Sequence, residues 1–138
     1  MKILLDANTI VSAFGTQGMC SEVFAYCLSE HEIVINQFII EEVAKSLEED
    51  FRMPKKKVRE HRQFLLSETK VVVPLKVSLN ICRDPKDLKV LGTAWADKVD
   101  VIVTGDKHLL KLKEFKGVAI LTVREFWEKR KRVEKITI

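Results

Sequence analysis

Two aspartates stand where a folded chain leaves carboxylates free to act. Asp6 follows the apolar run Ile3-Leu4-Leu5, and Asp106 follows Val101-Ile102-Val103-Thr104-Gly105. Such runs read as buried strands of a parallel sheet. Both acids therefore fall just beyond strand carboxyl ends, where open α/β sheets place their ligand sites. Either one alone is equally an ordinary turn residue or helix N-cap, since aspartate is favoured in both places. Together, near one sheet edge, they bring like charges close, which is unfavourable without a cation.

Further acids lie on helical segments. Asp87 is the third residue of the helix opened by Asp84-Pro85, where a carboxylate meets the positive end of the helix dipole. With Asp84 as the N-cap, the Asp87 side chain is left free to face the sheet edge. Glu41 and Glu42 share a helix whose apolar stripe is Ile39, Ile40, Val43 and Leu47. Glu42 falls slightly nearer that stripe, and periodicity leaves both open. Asn8 and Thr9, just past Asp6, suit a role in capping the next segment or orienting the Asp6 carboxylate.

Other chemistries lose ground. The sequence contains no GxGxxG, GxxxxGK[ST] or GxSxG, so dinucleotide, P-loop and serine-hydrolase readings have no anchor. His31, His61 and His108 are isolated, with no companions in a triad. Cys20, Cys27 and Cys82 form an odd set without a CxxC pair, which argues against a disulfide framework and against zinc.

The elements that must position these residues alternate. Strand signals cover residues 3–5, 32–35, 71–73, 99–104 and 118–121. Helical signals cover 21–30, 38–51, 54–68, 85–97, 107–112 and 123–132. Asp84-Pro85 and the capping-box form of Thr122-Val123-Arg124-Glu125 mark two helix starts. The alternation predicts an α/β fold, a three-layer α/β/α sandwich with a mainly parallel central sheet. At 138 residues, with no repeat or linker, one domain over 1–138 is expected.

Hydrophobic residues at 46% and charged residues at 32% fit an ordered globular chain. No apolar run approaches the ~18 residues of a membrane span, and the N-terminus opens directly into a strand without a signal-peptide layout. A cytoplasmic protein is expected. The net charge of +4 is concentrated in residues 52–62 and 129–135. Each is either a solvated helix face or a contact for a phosphate backbone, and neither carries interleaved aromatics.

The motifs converge on one family. LLDANTIVSAF (4–14), FIIEEVAKSL (38–47), RDPKDLKVLGTAWADKVDVIVTGDKHLL (83–110) and VAILTVREFWE (118–128) together resemble the PIN-domain proteins, within them the group counted as toxins of toxin–antitoxin pairs. The third stretch is the most specific, and the similarity spans nearly the whole chain. Carried over position by position, the resemblance implies catalytic and metal-binding acids at Asp6, Glu42, Asp87 and Asp106. It prefers Glu42 to Glu41 because the family acid precedes an aliphatic residue, here Val43. It makes Asn8 and Thr104 supporting polar groups. The family often has another acid where Lys86 stands, a departure that bears on how a second metal is held.

The activity implied is hydrolysis of phosphodiester bonds in single-stranded RNA by a metal-dependent ribonuclease. Four carboxylates gathered together need a compensating cation, and oxygen-only ligation suits Mg²⁺ or Mn²⁺. An antitoxin protein and a homodimer are the partners that the resemblance implies. The alternative is a PIN-like module that binds RNA or a protein without cutting. An aspartyl-phosphate phosphatase or a response-regulator receiver fits poorly. The former wants Asp-x-Asp where position 8 is Asn, and the latter wants paired acids that the first strand lacks.

Overall fold

The structure, a computed structural model, describes residues 1–137, with side chains described as far as Arg130. Ile3, Leu4 and Leu5 are fully buried, because a strand covered on both faces carries apolar residues at every position rather than at alternate ones. They belong to β1 (Lys2–Leu5), which pairs in parallel with β2 (Glu32–Ile35) on one side and β4 (Val101–Val103) on the other. Ile3 lies opposite Ile33 and Val101 in this register. Beyond β2 the sheet ends at β3 (Lys70–Val71); beyond β4 it continues through β6 (Val118–Leu121) to β5 (Glu114–Phe115). The order is β3-β2-β1-β4-β6-β5, and β5 alone among the described strands runs antiparallel to its neighbour.

Among the described residues seven helices connect and cover these strands: α1 (Ala7–Gly15), α2 (Met19–Glu30), α3 (Gln37–Glu49), α4 (Lys55–Glu68), α5 (Pro85–Ala96), α6 (Lys107–Leu110) and α7 (Val123–Thr137). The result is the three-layer sandwich with a mainly parallel sheet that the alternating pattern predicts. The chain first builds outward from β1 to β2 and β3, then returns to place β4 on the other flank of β1. Strands that depart in opposite directions leave a crevice at their carboxyl ends. That crevice lies at the ends of β1 and β4, next to Asp6 and Asp106. No helix among the described residues is long and apolar enough to cross a membrane.

Two elements depart from the sequence pattern. Residues 6–20 carry no periodic signal, yet 7–15 form α1, whose Thr9, Ile10 and Val11 are β-branched and poor helix formers. All three are buried, and that burial outweighs propensity. Residues 114–115 pair as β5 because Lys116 and Gly117 both take positive φ, 49° and 81°. That is the twist a two-residue hairpin turn demands, and Lys-Gly announces it less clearly than Asn-Gly. The basic segment 52–62 folds into the stretch leading into and through α4, while residues 131–135 of the second basic segment lie outside the described side chains.

One close approach fixes how α5 seats. A Cβ on Gly92 would meet the backbone oxygen of Leu75 at 2.0 Å, and the Leu75 N–H donates to the Gly92 carbonyl at 3.0 Å. Only glycine lets the 72–82 segment run against the helix at this distance. Gly92→Ala should therefore destabilise the fold by about 2 kcal/mol or more through overpacking against backbone. A thermal melt within a degree of the parent protein would show that the segment shifts freely instead.

Candidate active site

Each acid is positioned by the backbone that precedes it. Asp6 leaves β1 in extended conformation and caps α1, one carboxylate oxygen accepting from the Thr9 N–H at 3.0 Å. Its other oxygen accepts from the Thr104 hydroxyl, and the same Oγ1 accepts from the Asp106 N–H at 3.0 Å. Thr104, fully buried, thus ties the ends of two adjacent strands together. Asp106 repeats the local design by capping α6, its Oδ1 accepting from the His108 N–H at 2.8 Å.

Asp84 caps α5 through the Lys86 N–H at 2.9 Å, and Asp87, one turn in, is 4% exposed. The Cys82 thiol donates to Asp87 Oδ2 at 3.5 Å. Burial, and after it the hydrogen-bonded Asp87 carboxylate, pushes this thiol up, which keeps it a donor. Asp87 itself is pushed from 3.8 to about 6. Burial is the largest cause, followed by the charge of Asp106 and a hydrogen bond shared with it.

Asp6, Asp87, Asp106 and Glu42 line one cleft of about 600 Å³. Of the two helical glutamates, Glu42 is on the cleft wall, its Oε1 3.2 Å from the Lys86 ammonium. Glu41 is held outside by Gln37 and Arg62. Asn8 stands exposed on the wall, and the bonds that orient Asp6 come from Thr9 and Thr104. Among the described residues none of 52–62 lines the cleft; its positive charge comes from Lys45, Lys86 and Lys89.

Asn36 is a site residue that sequence patterns leave unmarked. It is fully buried, follows β2 and caps α3 through the Ile39 N–H at 2.7 Å. Its Nδ2 donates to Thr93 Oγ1 at 2.8 Å, which binds α3 to α5 across the cleft floor. The signal was available: a strand, one polar residue and a helix, the same arrangement as at Asp6.

Among the described residues no three His, Cys, Asp or Glu side chains stand close enough to hold a metal ion as placed. The donor chemistry fits a hard divalent cation all the same. The acids on the cleft wall offer oxygen alone, and the repulsion that raises Asp87 is what such a cation relieves.

A parallel sheet with an acidic cleft at its switch point defines an α/β protein built to act at the β1 and β4 ends. The PIN domain family model matches residues 2–108, and the chain belongs to that family. PIN domains are generally nucleases that use a divalent metal. No curated protein matches the sequence. Among solved structures, a chain of VapBC2 from Rickettsia felis, bound to a DNA fragment from their promoter, aligns at TM-score 0.61 and 14% identity. The alignment covers 87% of this chain and 97% of that one. PAE2754 from Pyrobaculum aerophilum aligns at TM-score 0.61 and 19% identity, covering 94% and 97%. At these identities the likeness is one of fold.

The Thr104 bridge and the Asp87 conflict can each be measured by stability. Thr104→Val keeps the shape but removes both bonds of the hydroxyl, and should cost about 1–3 kcal/mol in urea unfolding, the range for bonds to charged groups. Asp87 has a folded pKa above its unfolded one, so the folded state binds the proton more tightly. Its penalty is absent below about pH 4 and grows as pH rises through about 6. In metal-free buffer Asp87→Asn should melt higher than the parent at pH 7, by on the order of 1 kcal/mol, with the gap closing by pH 4. A variant less stable at pH 7 would contradict the repulsion.

Proposed function

We propose that this chain is a metal-dependent ribonuclease that hydrolyses phosphodiester bonds of single-stranded RNA, using Mg²⁺ or Mn²⁺ at Asp6, Asp87, Asp106 and Glu42, within one domain over 1–138. The observation that carries the reading is the gathering of these acids on one cleft at the β1–β4 switch point, with Asp87 pushed to about 6 by burial and Asp106. Family membership supports the reaction class.

A bound cation would supply the charge that lets the carboxylates ionise together, make water more acidic and stabilise developing oxyanions. The chain's residues do the rest. Asp6 is held rigid by the Thr9 N–H and the Thr104 hydroxyl, and Asp106 by the Thr104 bridge and its cap. Asp87, pushed to about 6, is mainly ionised at pH 7, where positive charge in the cleft would favour its carboxylate further, and the Cys82 thiol donates to it. Glu42, at 39% side-chain exposure, is reachable by water and receives the proton as the water oxygen joins phosphorus and one P–O bond breaks. Lys45, Lys86 and Lys89 offer ammonium groups to the phosphates.

The biological role proposed is that of a toxin in a toxin–antitoxin pair, with an antitoxin partner and a homodimeric state. The VapBC2 likeness supports an antitoxin partner. The test is cleavage of mixed single-stranded RNA by purified protein with Mg²⁺ or Mn²⁺, beside EDTA and the Asp6→Asn and Asp87→Asn variants. Each variant should lose about 100-fold or more in rate, the scale of a removed transition-state stabiliser. Asn also caps a helix well, so Asp6→Asn keeps the bond to the Thr9 N–H, and a thermal melt checks that the variant is folded. Cutting that survives both substitutions sinks the site. Folded protein that binds RNA and never cuts it favours the binding module.

A further inference from the structure

Phe38 is the second residue of α3, and 53% of it is exposed on the wall of the acidic cleft. A scattered surface phenylalanine needs no explanation, but this one is not merely scattered. The Lys89 ammonium, brought from α5, lies 3.7 Å over the ring centroid, and both residues line the same cleft as Asp6, Asp87 and Asp106. The pairing joins residues 51 positions apart in sequence.

A buried network fixes both halves. Asn36 caps the first turn of α3, two residues before Phe38, through the Ile39 N–H. Its Nδ2 reaches the Lys89 carbonyl at 3.4 Å and the Thr93 hydroxyl at 2.8 Å. The Thr93 hydroxyl in turn donates to the Lys89 carbonyl at 2.7 Å. The backbones carrying ring and ammonium are therefore tied to one fully buried side chain, which lowers the cost of bringing the two groups together on binding.

We propose that Phe38 and Lys89 form a nucleotide subsite of the cleft, in which the ring stacks on an unpaired base and the ammonium meets a phosphate of the same strand. The subsite rests on the reading of the cleft as a single-stranded RNA site. The Lys89 ammonium covers one face of the ring, and the 53% exposure of Phe38 leaves the rest of the ring to a base. An aromatic platform with positive charge nearby is how proteins hold single strands without sequence preference, because every base offers a π-face. Lys45 and Lys86 line the same cleft, Lys86 paired with Glu42. The arrangement also assigns aromatic and basic groups to one place, which neither basic segment of the sequence offers.

The test uses the full chain carrying Asp87→Asn in Mg²⁺, so that RNA binds uncut, and an eight-nucleotide RNA with 2-aminopurine at successive positions. Phe38→Leu, an exposed apolar exchange that a thermal melt will show to be folded, should weaken binding about tenfold or more and remove the stacking quench of 2-aminopurine. Phe38→Tyr should keep both. Lys89→Gln should lower the slope of log affinity against log salt by about 0.7, one phosphate contact on a single strand. If Phe38→Leu binds and quenches like its parent, the subsite is overturned while the nuclease reading stands, and the ring is left to a protein partner. If neither this parent nor the unsubstituted chain binds the RNA, the single-stranded RNA reading falls and takes the subsite with it.

Discussion

The hydroxyl of Thr104 accepts from one strand end and donates to another, and most of the site's geometry descends from that exchange. β1 and β4 pair in parallel, so their carboxyl ends emerge side by side. Each of the two strands gives way to an aspartate that caps a short helix. The Thr104 hydroxyl joins the Asp6 side chain to the Asp106 backbone across the two adjacent ends. A buried threonine with one donor and two lone pairs satisfies one acid's oxygen and the other's backbone N–H at once. The sheet sets the spacing of the ends, and the threonine sets the aim.

The third acid shows what such convergence costs. Asp87 is buried next to Asp106 and pushed to about 6, a conflict that a core built only for stability would not contain. Local rules are broken in folded proteins chiefly where function demands it. Here the break sits one helical turn from a cap that obeys every rule, Asp84-Pro85. The scaffold is orthodox up to the atom that must be placed badly. Glu42 is the opposite case: half exposed and paired with Lys86, it bears little strain and little restraint.

Much of this was legible in the sequence. Continuous apolar runs located β1, β2, β4 and β6, and the Asp84-Pro85 start located α5, so the class of fold came from periodicity and caps. Asp6 and Asp106 could be placed because a strand end is a fixed address. Asp87's side chain could be freed only by assigning Asp84 the cap. Glu42 over Glu41 was beyond periodicity, which separates neighbours on a helix poorly; Arg62 from α4 holds Glu41 aside, and Glu42 lines the cleft. Contacts across elements left no local trace at all. Asn36 to Thr93 and Lys89 over Phe38 join α3 to α5, and nothing in either segment names the other. α1 was hidden for a related reason, since its helical state rests on burial that overrides the propensities of its own residues.

Asp6 and Asp106 each spend one oxygen on a helix cap, and asparagine performs that duty about as well as aspartate. Descent within such a lineage therefore has a short road open to it. Exchanging a single atom group at either position deletes a negative charge from the cleft while the cap bond to the helix is kept. Copies that grip without cutting are thus close neighbours of copies that cut. A duplicated gene could lose a charge of the cleft in one mutational step while its helix caps persist.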